Sequence, residues 1–305
     1  MDDFFRDKKE DVRDVLKSAR DIGMSFRKLS DSKIHGAHMS MFKGRGLEFS
    51  EIRGYLPGDD VRAIDWNVTA RFGHPYVKEF VEERDMIVYL VVDVSGSFDF
   101  GTQDSFKRMA AAKICASVAL SAVKNNDAIG LVLFSDRVEK CIHPSKGKKH
   151  MMRIVHEIVS FESKSRGTGL KAPLGFLSNV INQRSILFLI SDFMDDVREY
   201  SRELGYLSKE NDVIAVDLYD AREVSIPDVG LIELEDEETG EQMLIDTSDS
   251  SFRADFEENV RADRERLIRF MRKKRIDHVS VSTTDDGSSK ISGLLKMRSR
   301  RRLSA

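Results

Sequence analysis

The chain has 305 residues, of which 41% are hydrophobic and 33% charged, with a formal net charge of −3. That length holds one large domain or two modest ones with a sizeable core, and the near-neutral balance excludes a global electrostatic pull toward nucleic acid or acidic membranes. The two cysteines, Cys115 and Cys141, have neither metal-ligand nor redox spacing, so a buried free thiol at Cys115 and a reducing compartment are expected.

Residues 1–20 are charged throughout and lack an apolar leader core. No apolar run is long enough to span a bilayer. A cytoplasmic chain without a membrane span is expected. Residues 7–30 read as an amphipathic helix, with Val12, Val15, Leu16, Ala19, Ile22 and Phe26 at helical spacing. Residues 34–84 are rich in glycine, and strand-like runs at 47–52 and 74–80 alternate with turns, so a small β-rich accessory region is expected. Trp66 is expected to pack against the main domain, with Arg62 and Asp65 in ion pairs, and Asp59 and Asp60 to serve a turn.

From residue 86 the pattern changes. Residues 86–92 form an almost unbroken apolar run, as in a strand buried on both faces of a parallel sheet. A helical pattern follows at 104–124, then strands at 128–134 and 137–143, and helices at 149–161 and 172–182. A buried strand at 185–190, a helix at 196–210 and a strand at 213–218 continue the alternation. Residues 229–246 read as a hairpin turning at Gly240. A charged helix at 251–274, a strand at 277–282 and a helix at 291–297 close the chain. This order predicts an α/β fold with a doubly wound, mostly parallel sheet. The expected division is 1–84 for the helix and β-rich lead-in and 85–305 for the α/β domain with its hairpin insertion. The basic end at 298–302 reads as a solvated tail, and no nucleic-acid contact is expected from it.

The informative stretch directly follows the first buried strand: Asp93, Ser95 and Ser97 alternate across Val94 and Gly96. Ligand crevices in open α/β sheets lie outside the carboxyl ends of the strands, and Gly96 permits the turn that aims both hydroxyls at one centre. Asp192 ends a second buried strand, and Thr168 stands in a glycine-flanked loop. Two carboxylates and three hydroxyls make a hard oxygen set suited to Mg²⁺, or Mn²⁺, rather than zinc. The competing structural reading is a helix cap at Ser97 or Asp99.

At these positions the sequence resembles the von Willebrand factor A family, whose metal-ion-dependent adhesion site reads Asp-x-Ser-x-Ser, then Thr, then Asp. The resemblance implies that Ser95, Ser97 and Thr168 coordinate a metal directly or nearly so, and that Asp93 and Asp192 act largely through bound water. One departure is Phe193, where the wider family often has Gly. A more specific resemblance covers nearly the whole chain. Residues 44–49 (GRGLEF), 53–66 (RGYLPGDDVRAIDW) and the later Glu238-Thr239-Gly240-Glu241 with Asp246-Thr247 are similar to the bacterial domain of unknown function 58 family, a von Willebrand factor A-like group associated with MoxR-type AAA+ ATPases.

The expected function is a divalent-cation-dependent protein-binding module and not an enzyme. The resemblance implies a MoxR-type AAA+ ATPase as partner, in a chaperone-like system that matures or remodels a client protein. Two alternatives stand beside it. One is a metal-dependent hydrolase using Asp93 and Asp192, against which no general base or phosphate clamp is evident beside the motif. The other is a metal-free interaction scaffold.

Overall fold

The computed structural model describes Val15 and residues 47–82, 86–98, 101–102, 105–165, 167–235 and 242–303. The chain divides into Lys33–Asp85 and a larger unit formed by Met1–Ser32 with Met86–Ala305. In the smaller unit, β1 (Leu47–Gly54) and β2 (Tyr76–Glu82) pair antiparallel, with Gly54 opposite Tyr76 and an irregularity between Phe49 and Glu51. Between them lies a short helix, α1 (Trp66–Phe72), where only turns are expected from the sequence. Its ends explain it. The Asp65 carboxylate accepts from the backbone N–H groups of Asn67 (2.9 Å) and Val68 (3.2 Å), and Gly73 closes the helix at φ 74°.

The acidic turn behaves as its composition predicts. Asp59 accepts from Leu56 N and from both terminal nitrogens of Arg53, at 2.7 and 2.9 Å. The Arg53 hydrogen bonds, then that of Leu56, hold the Asp59 carboxyl down at about 2. Asp60 caps the turn at Val61–Ala63. Trp66 is the first residue of α1, and Asp65, expected in an ion pair, serves as its helix cap.

In the larger unit, β3 (Ile87–Asp93) leads to a two-residue pair, β4 (Gly101–Thr102) and β5 (Ser105–Phe106), and then to α2 (Lys107–Lys124). β6 (Ala128–Phe134), β7 (Val138–Ser145), α3 (Lys148–Ser160), α4 (Lys171–Val180), β8 (Ile186–Ser191), α5 (Val197–Glu210) and β9 (Asp212–Tyr219) follow. A hairpin of β10 (Leu231–Glu235) and β11 (Gln242–Asp246) precedes α6 (Ser250–Lys274), β12 (Asp277–Ser282) and α7 (Gly287–Leu303). The central sheet has the order β12-β9-β8-β3-β6-β7. Every neighbouring pair is parallel except β6 with β7.

Most predicted elements lie within a few residues of the observed ones. The predicted helix at 7–30 falls outside the described residues apart from Val15, which is buried. The hairpin turn at Gly240 also lies outside them. The C-terminal helix is longer than its apolar spacing suggests, and Arg298 is not part of a solvated tail. Its guanidinium pairs with Asp212 and, at 2.8 Å, with Asp277. These ion pairs tie α7 to β9 and β12. Cys115 is buried and Cys141 half-buried, both as free thiols, and burial pushes the Cys115 thiol up.

The period-2 alternation of β3 divides the core. Val88, Leu90 and Val92 join Ile114, Cys115, Ile154, Ile158 and Ile291 on one face. Tyr89 and Val91 join Leu174, Leu189, Tyr200, Leu204 and Met271 on the other. Helices therefore cover both faces, as an unbroken apolar strand requires. Gly130 on β6 is opposite Tyr89 on β3, and a Cβ built there would stand 2.8 Å from Tyr89 ring carbons. Gly130→Ala should therefore destabilise the fold by roughly 1–3 kcal/mol through overpacking. The check is the urea midpoint, which should fall at unchanged slope; an unchanged midpoint would show that the ring moves aside without cost.

Candidate functional site

β3 is the switch point of the sheet. The chain leaves it toward β6 on one side and later enters β8 on the other, so a crevice opens at the carboxyl ends of β3 and β8. Asp93, the last residue of β3, is 1% exposed. Its Oδ1 accepts from Ser95 N (3.0 Å) and its Oδ2 from the Ser191 hydroxyl at the end of β8 (2.9 Å). A 3₁₀ turn at Gly96–Phe98 brings the Ser95 and Ser97 hydroxyls to 3.0 Å from each other. Ser97 does not cap α2, which begins at Lys107. Asp99 lies outside the described residues.

Asp192, 6% exposed, follows β8 directly. Its Oδ1 accepts from Met194 N (3.4 Å) and its Oδ2 from the Lys107 ammonium at 2.9 Å. Lys107 is fully buried, and its Nζ also pairs with Glu223 at 2.5 Å and stands 5.9 Å from the Phe98 ring centre. Glu223 is fixed in turn. Its carboxylate accepts from Asp220 N (3.0 Å), and Asp220 accepts from Arg222 N and from the Thr283 hydroxyl beyond β12. Hydrogen bonds and ion pairs thus run from Asp192 after β8 to Thr283 after β12, and Ser191, the neighbour of Asp192 in the chain, bonds to Asp93 at the end of β3.

Thr168 is brought toward this edge by its loop. Gly169 N donates to the Ser135 carbonyl after β6 (3.2 Å), and Leu170 N donates to Asp195 after β8 (2.9 Å). Asp195 thereby has a definite task, and Asp196 caps α5. Phe193 adopts φ 51°, the left-handed region where glycine is favoured. This accounts for what glycine would provide at that position. Phe193 tolerates the conformation while its side chain is buried in the core cluster that also holds Tyr200 and Leu204.

The electrostatics follow from burial. Desolvation first, and the charge of Asp192 second, raise the Asp93 carboxyl above its ordinary range. Burial opposes the charge on Lys107, but Asp192 and Glu223 outweigh it and its pKa is raised. Burial also raises Glu223, against the pull of Lys107. Among the described residues no three His, Cys, Asp or Glu side chains converge as metal ligands. The donor set is two carboxylates with hydroxyls.

Asp93, Ser95 and Ser97 stand in direct succession at the end of β3 and Asp192 directly follows β8, while Thr168 lies in the loop held to Ser135 and Asp195. Sequence reasoning missed Lys107, Ser191 and Glu223. For Lys107 a signal existed: it precedes Ala110, Ala111 and Ile114 by three, four and seven residues, on the stripe that faces the core. A lysine there needs a buried acidic partner.

Fold and site together define an α/β protein with a cluster of buried carboxylates and hydroxyls at the switch point of its sheet. The chain belongs to the family described as protein of unknown function DUF58, which residues 51–266 match. An uncharacterized protein of Mycobacterium tuberculosis is 30% identical over 255 residues, covering 83% of this chain and 80% of that protein. The uncharacterized protein YeaD of Bacillus subtilis is 31% identical over 126 residues, covering 40% of this chain and 27% of that protein. Among solved structures, the conserved hypothetical protein BatB from Bacteroides thetaiotaomicron covers 69% of this chain and 99% of its own, with 14% identity and a TM-score of 0.46.

Asp217, on β9 beside Ser191, gives the region a pH signature. It is 2% exposed, accepts from the Ser280 hydroxyl at 2.9 Å, and is pushed up to about 6, chiefly by burial, with Arg264 opposing. A carboxyl raised in the folded state binds more protons there than in the unfolded chain, so its contribution to stability is lost as pH rises from about 4 through about 6. Asp217→Asn removes that penalty. Its Tm relative to the parent should be higher at pH 7 than at pH 4; a difference independent of pH would contradict the shift.

Proposed function

We propose that the protein is a divalent-cation-dependent protein-binding module built on a von Willebrand factor A-like domain. The observation that carries this reading is the pairing of the Ser95 and Ser97 hydroxyls, hydrogen-bonded to each other at 3.0 Å beside buried Asp93, which turns both oxygens to one place. In an octahedral shell with metal–oxygen distances of about 2.1 Å, neighbouring oxygens are about 3.0 Å apart. The hydroxyl pair is therefore spaced as one edge of such a shell. The residues that would hold Mg²⁺ or Mn²⁺ are Ser95, Ser97 and Thr168, with Asp93 and Asp192 behind them.

Both oxygens of each carboxylate already accept a hydrogen bond from the protein. A carboxylate has about four acceptor positions, so each keeps capacity for a water held toward the cation. This is the arrangement expected where carboxylates act at one remove. A bound divalent ion would supply a hard positive centre to which a partner's Asp or Glu is drawn. The chain's own residues fix that centre at the strand edge and neutralise the charge around it. Membership of the DUF58 family, and that family's resemblance-based association with MoxR-type AAA+ ATPases, support such an ATPase as the partner, in a system that matures or remodels a client.

A second reading has its own observation. The Lys107 ammonium already stands between Asp192 and Glu223, which favours an interaction scaffold that needs no metal. Calorimetric titration of Mg²⁺ and Mn²⁺ into chelator-stripped protein, followed by capture of the ATPase with and without EDTA, decides between them. The metal-dependent reading expects saturable binding, its loss in Asp93→Ala, and loss of capture in EDTA. Capture unaffected by EDTA and by Asp93→Ala would overturn it in favour of the scaffold.

A further inference from the structure

We propose that Lys107 is a tethered counter-cation: it keeps the carboxylate cluster assembled without a divalent ion and weakens the affinity of the site for one. This deepens the metal-binding reading and rests on it for its second half. The geometry is specific. A fully buried ammonium bonds to Asp192 at 2.9 Å and to Glu223 at 2.5 Å, on a side chain anchored at the first residue of a core helix.

Three features make Lys107 part of the site rather than a surface ion pair. Its side chain is entirely shielded, and that of Asp192 is 2% exposed, so neither charge is neutralised by solvent. Glu223 is fixed independently by the Asp220 turn, so the ammonium bridges two elements, the ends of β8 and β9. Asp192 is also the carboxylate that the metal-site pattern requires. A fixed positive charge bonded to it raises the local potential that a divalent ion must enter, and Coulomb repulsion at such separations is large in a partly buried site. The lysine therefore does two things at once. It removes the need for a metal to hold Asp192 and Glu223 in place, and it lowers the affinity of the unpartnered site, so that a further ligand raises occupancy. A carboxylate from a docked protein is the natural further ligand, which makes occupancy and docking depend on each other.

The test uses the full chain as wild type, Lys107→Met and the double variant Lys107→Met/Glu223→Gln. Lys107→Met keeps the side-chain length and deletes the charge. The double variant conserves net charge, so long-range electrostatics cancel and only the local effect on Asp192 remains. Thermal melts are recorded in EDTA and in Mn²⁺, and Mn²⁺ affinity is measured by titration. Wild type should melt at nearly the same temperature in both conditions. Lys107→Met should melt lower in EDTA and be rescued by Mn²⁺, and it should bind Mn²⁺ about tenfold or more tightly than wild type. The double variant should also bind more tightly than wild type, and it carries the test if the single variant does not fold. Mn²⁺ affinity in the variants equal to or below that of wild type overturns the proposal, as does an absence of binding in all three proteins. Binding in the variants but not in wild type supports the role of Lys107 while sinking the metal-dependent reading of the natural protein. Equal binding in all three does the reverse.

Discussion

Two carboxylates, Asp93 and Asp192, are buried together where the central strands β3 and β8 end. Their charge must be neutralised, hydrogen-bonded or suppressed, because an unpaired buried carboxylate is unfavourable by several kcal/mol or more. Most of the local architecture answers this requirement. Ser95 N and the Ser191 hydroxyl serve Asp93, while Met194 N and Lys107 serve Asp192. Lys107 is in turn balanced by Glu223, and Glu223 by the turn at Asp220. Removing any one member leaves another exposed to the same penalty. The cluster is therefore assembled as a unit, and the strand ends, the start of α2 and the loop after β9 are locked to one another.

The fold makes such a cluster possible by placing chain reversals where the sheet changes direction of winding. At the end of β3 a 3₁₀ turn folds two serines toward each other. At the end of β8 the chain takes a left-handed step at Phe193, anchored by a ring in the core. The Thr168 loop is held between Ser135 and Asp195, so its approach is set by the ends of β6 and β8 together. Three separate segments thus meet at the carboxyl ends of the central strands, while a helix layer on each face supplies the rigidity that positions them.

Much of this was legible in the sequence, for physical reasons. Residues 86–92 carry no polar alternation, and their shortness and β-branched content mark a doubly covered strand, and Asp93-x-Ser95-x-Ser97 at its end is a local pattern needing no long-range information. The helix α1 was not legible because seven residues are too few to show a 3.6-residue period. Its only marks were Asp65 and Gly73 at the two ends, in a stretch whose many glycines favoured turns. Arg298 was misplaced because its acidic partners, Asp212 and Asp277, are distant in sequence and come together only through the pairing of β9 with β12. The pairing of Lys107 with Asp192 and Glu223 is non-local in the same way. A buried lysine can be suspected from the apolar stripe of α2, but its partners are fixed only by the order of strands.

The central claim is that the Ser95–Ser97 hydroxyl pair forms one edge of a cation shell, and electron paramagnetic resonance with Mn²⁺ tests it most directly. Free Mn²⁺ gives a sharp six-line signal that is lost on binding. Adding an excess of the chelator-stripped protein should diminish that signal saturably, whereas Ser95→Ala/Ser97→Ala, with its fold verified by thermal melting, should leave it largely intact. Equal loss of signal with both proteins would place the ion elsewhere, and no loss with the natural sequence would show that the edge does not hold a cation by itself.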